Sequence, residues 1–315
     1  MRVATTLPSA TEIVCLLGLE PVAVSHGCDH PPGVERLPSL TASRIDADAS
    51  SGEIDEQVLE ATTEEGVYTV DRSVLESTEP ELVVTQGMCD VCAVDDAVIR
   101  GAIESSSVDP DVLTTDPHSV ADVLGDIDRI AAATGTEGRG DEVRAGLEAR
   151  IERVRAETAD IAPEDRPRVA VFDWTNPVML AGHWTAELVE WAGGRYDPVD
   201  VGERSRPREW SDILAYDPEV IIVGPCGFDL EQTAANATDL TERDGWEDLA
   251  AVQSGRVWAL DGNQYLNRPG PRLVDTLEAL APIIQPDRFP TPPSSAVAVP
   301  VDALSAWPEH THLEV

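Results

Sequence analysis

The sequence predicts an α/β protein made of two Rossmann-like lobes with parallel sheets joined by a long connecting helix. Three observations carry this reading. Short apolar strands alternate with amphipathic helices through residues 2–115 and again through 169–284. The stretch between them reads as helical almost throughout. Finally, 315 residues with 42% apolar content are enough for two cores of ordinary domain size. The expected divisions are an N-terminal lobe over 1–117, a helical connector over 118–162, a C-terminal lobe over 163–287 and a tail over 288–315.

Residues 2–7 alternate as a first strand, and Ser9-Ala10-Thr11-Glu12 reads as a capping box opening a helix that runs to Leu17 and stops at Gly18. Pro21–His26 follows as the next strand, which makes the opening a β-α-β unit with parallel strands. A second capping box, Ser50-Ser51-Gly52-Glu53, starts a helix with Ile54, Val58 and Leu59 on one face. Val67–Val70, Leu82–Gln86 and Val112–Thr115 are strands, with a helix over roughly 94–104 whose face holds Val94, Val98 and Ile99. In the connector, Val120, Val123, Leu124, Ile127 and Ile130 form one stripe and Leu147, Ile151 and Val154 another, with a break expected between Gly135 and Gly140. The second cycle has strands at 169–172, 220–223 and 256–260 and helices at 185–192 and 271–284. The prolines at 290, 292, 293 and 300 forbid a helical tail, which is expected to wrap a surface or fray.

The chain carries 59 acidic against 22 basic residues, a formal net charge of −37, and all of the basic residues are arginine. This is the composition of a salt-adapted protein. General acidity without a basic stripe argues against nucleic-acid binding, because phosphate would be repelled. No run approaches the roughly 18 apolar residues of a membrane helix. Met1–Pro8 leads directly into a helix bearing Glu12, without the layout of a signal peptide, and Cys15 follows Glu12-Ile13-Val14 rather than a lipoprotein cleavage pattern. The expected location is therefore cytoplasmic, or extracytoplasmic if the start is incomplete.

Ligands of parallel α/β sheets bind beyond the carboxyl ends of the strands, so the loops there are the candidate site. Cys28 and Asp29 lie in one such loop, Cys89, Asp90 and Cys92 in another, and Cys226 in a third, Gly224–Asp229. Cys15, among Val14, Leu16 and Leu17, reads as core. Cys28, Cys89 and Cys92 offer three sulfurs for Zn²⁺ or another soft metal, and Cys226 could complete a tetrahedron. A redox pair at Cys89 and Cys92 is equally open. Trp174 and Trp184 flank the segment after a strand of the second lobe and offer flat walls to a large planar ligand, as does Tyr265. Arg268 and Arg272 stand before a helix, where they could bind carboxylate or phosphate.

Four segments together give a resemblance: Leu7–Glu12, Glu79–Val84, Asp217–Ile222 and Arg268–Arg272. Over about residues 2–285 the chain resembles the cobalamin-binding members, in a haloarchaeal version, of the substrate-binding proteins that serve iron-siderophore and cobalamin ABC importers. The resemblance implies two lobes on one rigid helix and a corrinoid held in the cleft between them, with delivery to an ABC permease. The sequence shows no phosphate-binding glycine loop, nucleophile elbow or HExxH, so no catalysis is expected. In that pattern a glutamate that pairs with permease arginines stands about seven residues before the proline of each lobe's Pro-acid-apolar strand start. Here those positions are Ser73 and Ser211, with Glu76, Glu209 and Asp212 nearby, so intracellular salvage becomes an alternative to uptake. The competing reading is a thiol-dependent metal-handling protein or enzyme using the loop cysteines.

A net charge of −37 repels itself unless salt shortens the Debye length, which is about 3 Å at 1 M. Far-ultraviolet circular dichroism should therefore show a folded α/β spectrum in multimolar KCl and loss of ellipticity on dialysis to low salt. An unchanged spectrum at low salt would refute this.

Overall fold

The computed structural model describes residues 1–63, 66–88, 94 and 96–304, and the chain divides into two compact units. The first comprises residues 1–49, 53–148 and 269–271, and the second residues 50–52, 149–268 and 272–315.

The first unit contains β1 (Val3–Thr5), α1 (Pro8–Leu16), β2 (Thr41–Ser43), α2 (Ser51–Thr63), β3 (Tyr68–Val70), α3 (Arg72–Thr78), β4 (Leu82–Gln86), α4 (Asp96–Glu104), β5 (Asp111–Thr115) and α5 (Val120–Thr134). The strands β1, β4 and β5 form a parallel sheet in that order, with Val3 beside Leu82 and Leu82 beside Asp111. The expected strand at 21–26 is reduced to single parallel bridges, Ala4 to Ala23 and Val24 to Ser39, and β2 pairs antiparallel with β3 as a separate ladder. Ala4, Ala23, Leu40, Leu75, Val83, Val94 and Ile99 make a common apolar core.

Two local expectations fail for identifiable reasons. Ser9 does not cap α1. Pro8 occupies the first helical turn, where its fixed φ and missing N–H are tolerated, so Leu7 becomes the N-cap and Ser9 and Glu12 lie inside the helix, both buried. Leu59 is 60% exposed although Ile54 is buried. Five residues of helix rotate it about 140° from Ile54, off the face that Val58 shares.

The helix α6 (Glu137–Thr158) follows α5 after a turn at Gly135, whose φ of 70° closes α5 by returning its N–H to the Ala131 carbonyl. The unit boundary, between residues 148 and 149, lies within α6. Both apolar stripes predicted for these helices are buried. The expected break is confined to Gly135, because α6 already includes Gly138 and Gly140.

The second unit contains β6 (Val169–Trp174), β7 (Met179–Leu180), α7 (Thr185–Trp191), β8 (Arg206–Pro207), α8 (Trp210–Tyr216), β9 (Val220–Val223), α9 (Leu230–Ala235), α10 (Thr238–Thr241), α11 (Ala250–Gln253), β10 (Val257–Leu260), α12 (Leu273–Ile284), β11 (Ala298–Pro300) and α13 (Val301–Leu304). Its sheet runs β11-β10-β9-β6-β7-β8, with β10, β9 and β6 parallel and the outer strands antiparallel. The proline-rich tail thus adds an edge strand, where Pro300 needs no ladder N–H on its open side. The inner strands are near-continuous valine and isoleucine, as burial on both faces requires.

Gly140 and Gly146 both sit in α6 but differ in surroundings. A Cβ at Gly140 would lie 2.7 Å from the Cβ of Ala131 on α5, whereas one at Gly146 would meet nothing within 4 Å. Denaturant unfolding should show Gly140→Ala destabilised by about 1–3 kcal/mol through overpacking. Gly146→Ala should gain up to about 1 kcal/mol from helix propensity. Equal effects of the two substitutions would contradict the close α5–α6 approach.

Candidate functional site

In the second unit, β6, β9 and β10 lie side by side and parallel, so their C-terminal loops emerge at one end of the sheet. Trp174 ends β6 and is partly exposed. Its ring lies 5.3 Å from that of Phe228, tilted by 53°, and its indole N–H donates to the Asn176 carbonyl at 3.0 Å. Phe228 belongs to the loop after β9, which also carries the partly exposed Cys226.

That loop is locked to the one after β10. A Cβ at Gly262 would lie 2.1 Å from the Pro225 carbonyl oxygen, and one at Gly224 would lie 2.9 Å from that of Leu260. The Asn267 side-chain amide donates to the Gly224 carbonyl at 2.8 Å. The second loop winds into a π-helical turn over Gly262–Leu266, capped by the Asp261 carboxylate, which accepts from the Gln264 N–H at 2.6 Å. Burial pushes the Asp261 carboxyl above its ordinary range. The turn presents a half-buried Tyr265, over whose ring the Arg272 guanidinium sits at 5.2 Å.

Beneath Trp174, Asp173 accepts from the Ser205 hydroxyl on one oxygen while the other is buried without a hydrogen-bond partner. Desolvation pushes its carboxyl up to about 6. The buried Tyr196 donates to the Ala181 carbonyl at 2.8 Å, and burial, then the Asp173 charge, raise its phenol well above the ordinary value.

Several residues singled out in the sequence have other surroundings. Trp184 is 3% exposed, donates its indole N–H to the Leu266 carbonyl at 3.0 Å and stands before α7, so it supports the π-helical loop from below rather than offering a face. Arg268 and Arg272 are buried, and their guanidinium groups hold the same loop. Arg268 donates to the Asn263 carbonyl at 3.1 Å and Arg272 to the Gln264 side chain at 3.0 Å. Cys28 is 4% exposed in an apolar cluster with Val24, Val34, Cys15 and Leu37, its sulfur 3.0 Å from the Thr11 hydroxyl. It packs as a small hydrophobe there. Asp29 beside it is partly exposed. Cys89, Asp90 and Cys92 lie outside the described residues, and among the described residues no three potential ligands cluster to hold a metal.

Two further features lie outside the residues singled out in the sequence. Phe228 was available in the Gly-Pro-Cys-Gly-Phe loop that follows a buried strand. In the first unit, an open hollow of about 720 Å³ is lined by His26, Thr41, Thr69, Asp71, Arg72 and Ser73, among others. Only its strand-end position could have marked it.

Among the described residues no helix is long and apolar enough to cross a membrane. Residues 3–264 match the family model described as Periplasmic binding protein. A curated relative, the uncharacterized ABC transporter substrate-binding lipoprotein YvrC of Bacillus subtilis (strain 168), is 22% identical over 293 residues, 91% of this chain and 81% of that protein. The vitamin B12 binding protein BtuF of Vibrio cholerae is a similar solved structure, with TM-score 0.64, 21% identity and 90% and 96% of the two chains covered. So is the heme-binding protein RhuT of Roseiflexus sp. RS-1, with TM-score 0.67, 24% identity and 91% and 99% covered. At these identities the structures establish the two-lobed α/β fold and do not select a ligand. The expectation of a cytoplasmic protein is overturned by the family, described as periplasmic, and by a relative that is a lipoprotein. The chain is a binding protein rather than an enzyme, and it belongs to the periplasmic binding protein family.

Proposed function

We propose that this chain is the substrate-binding component of an ABC importer and that its ligand is a corrinoid of the cobalamin type. The observation that carries the reading is the aromatic corner at the C-terminal end of β6, where Trp174 stays partly exposed against Phe228. Tyr265 follows β10 at the same end of the sheet. Partly exposed aromatic rings on loops this firmly braced suit a large rigid ring, because little order is lost when it binds.

Relatives of similar fold bind vitamin B12 or heme, so the choice between the two rests on charge. A porphyrin of the heme type carries two carboxylates, and the charged groups around the aromatic corner disfavour them at short range, where salt screens little: Asp173 and Asp261 are carboxyls, and the Arg272 guanidinium is already engaged by Gln264 and the Tyr265 ring. The corrin ring is fringed by neutral amides, which hydrogen-bond without that repulsion. The resemblance carried by the segments Leu7–Glu12, Glu79–Val84, Asp217–Ile222 and Arg268–Arg272 supports the same reading. Zinc has no support from the described residues, since Cys28 is committed to the core.

Parallel optical titrations with aquocobalamin and with hemin, in multimolar KCl, test this. The corrin bands should shift saturably with a Kd in the micromolar range or below, about −8 kcal/mol or better, and hemin should bind more weakly. Tighter binding of hemin, or no saturable corrin shift, would overturn the assignment.

A further inference from the structure

Asp173 occupies an irregular place in β6. Across the antiparallel pair with β7, Phe172 lies opposite Leu180 and Trp174 opposite Met179. The strand β6 thus advances two residues where β7 advances one, and Asp173 is the extra residue of a bulge. A bulge re-aims the side chains beside it, and here its neighbour is Trp174.

Asp173 also ties together the pieces around the aromatic corner. Its backbone carbonyl accepts the Cys226 N–H at 2.9 Å, which fixes the start of the loop carrying Phe228. Its Oδ2 accepts the Ser205 hydroxyl, and the Ser205 oxygen in turn accepts the Gly182 N–H at 2.9 Å. The turn around Ser205 is pressed onto Gly182, where a Cβ would lie 2.5 Å from the Ser205 nitrogen. Beside it the His183 N–H donates to the Glu203 carbonyl at 2.6 Å.

No cation answers this carboxyl. Its Oδ1 is buried without a hydrogen-bond partner, and among the described residues no arginine or histidine stands within ion-pair distance of it. The group that faces it from the segment between α7 and β8 is the Tyr196 phenol, which burial keeps protonated. Arg208, near Tyr196 on the β8 side, is directed to the Pro198 carbonyl at 2.8 Å and to Glu203 at 4.0 Å, and its own Nε is buried without a partner. Cys226 meets Asp173 through its backbone. A carboxylate so placed costs free energy that the neutral acid does not, and desolvation pushes the carboxyl up to about 6. It is neutral below that pH and charged above it.

We propose that Asp173 is a positioning residue whose proton sets the aromatic corner. As the neutral acid it closes the bulge against Ser205 and holds Trp174 in its binding position. When it ionises, water reaches Oδ1, the Ser205 clamp loosens and the ring of the ligand binds more weakly. The effect on binding rests on the corrinoid reading, whereas the effect on Trp174 does not.

The experiment therefore has two arms, both in multimolar KCl across the pH range around 6. Without ligand, acrylamide quenching is compared with and without Trp174→Phe, so that the difference reports Trp174. With ligand, aquocobalamin is titrated at each pH. In the wild type, Trp174 should become more quenchable as pH rises through about 6, and aquocobalamin affinity should fall about tenfold, the equivalent of one pKa unit between free and bound protein. Asp173→Asn, of the same shape and with an acceptor left for Ser205, should be flat in both arms. Ser205→Ala removes a donor that favours the carboxylate, so it should move both midpoints to higher pH, which a merely structural loss would not do. Trp174 quenching that is flat with pH, or that changes alike in Asp173→Asn, would overturn the proposal. So would an affinity that stays flat while quenching changes. If quenching changes as expected and no aquocobalamin binds at any pH, the positioning role of Asp173 stands and the corrinoid reading fails.

Discussion

Two backbone segments approach so closely at the end of the second unit's sheet that neither tolerates a side chain. The Pro225 and Gly224 carbonyls occupy the space that a Cβ at residue 262 would need, and Leu266 and the Leu260 carbonyl crowd Gly224 in return. This contact fixes the loop after β9 to the loop after β10. Asn267, Arg268, Arg272 and Trp184 then supply hydrogen bonds that hold the π-helical turn in place. Long polar side chains that looked like ligand contacts are spent on bracing the loop. The half-buried Tyr265 stands on that brace and the partly exposed Trp174 lies against Phe228 of the loop it fixes, a rigid support of the kind the proposed site for a large ring requires.

The fold was legible wherever periodicity was strong. The stripes at 120–130 and 147–154 are long enough for the helical period to exclude the other, the runs at 82–86 and 220–223 are marked as strands by their short length and their valine and isoleucine content, and all are buried as expected. Illegible elements were short or at edges. The strands β7 and β8 have two residues each, and β11 lies in a proline-rich tail whose composition argues against regular structure. The capping box at Ser9 failed because Pro8 holds a stronger claim on the first turn. The site was less legible than the fold, because burial decides what a residue type is for. Trp174 and Trp184 look alike in sequence, but one ends a strand at a loop cluster and the other precedes a helix under it. Cys28 sits in a loop but packs into an apolar cluster, and nothing in its spacing from Cys89 discloses that.

Net charge ties these observations to ligand choice. In an acidic chain most arginines near carboxylates are engaged locally, and an anionic ligand meets repulsion unless a specific cation is kept open for it. At the aromatic corner the Arg272 guanidinium is instead engaged by the Gln264 side chain and the Tyr265 ring.

The central claim is that Trp174 carries the face against which the ligand ring packs. The most direct measurement is the affinity for aquocobalamin of Trp174→Ala, beside Trp191→Ala, whose ring is instead covered by Arg155 at 5.4 Å. The account predicts a loss of about 2 kcal/mol or more for Trp174→Ala, as for a buried aromatic anchor, and little change for Trp191→Ala. Equal affinities for wild type and Trp174→Ala would contradict it.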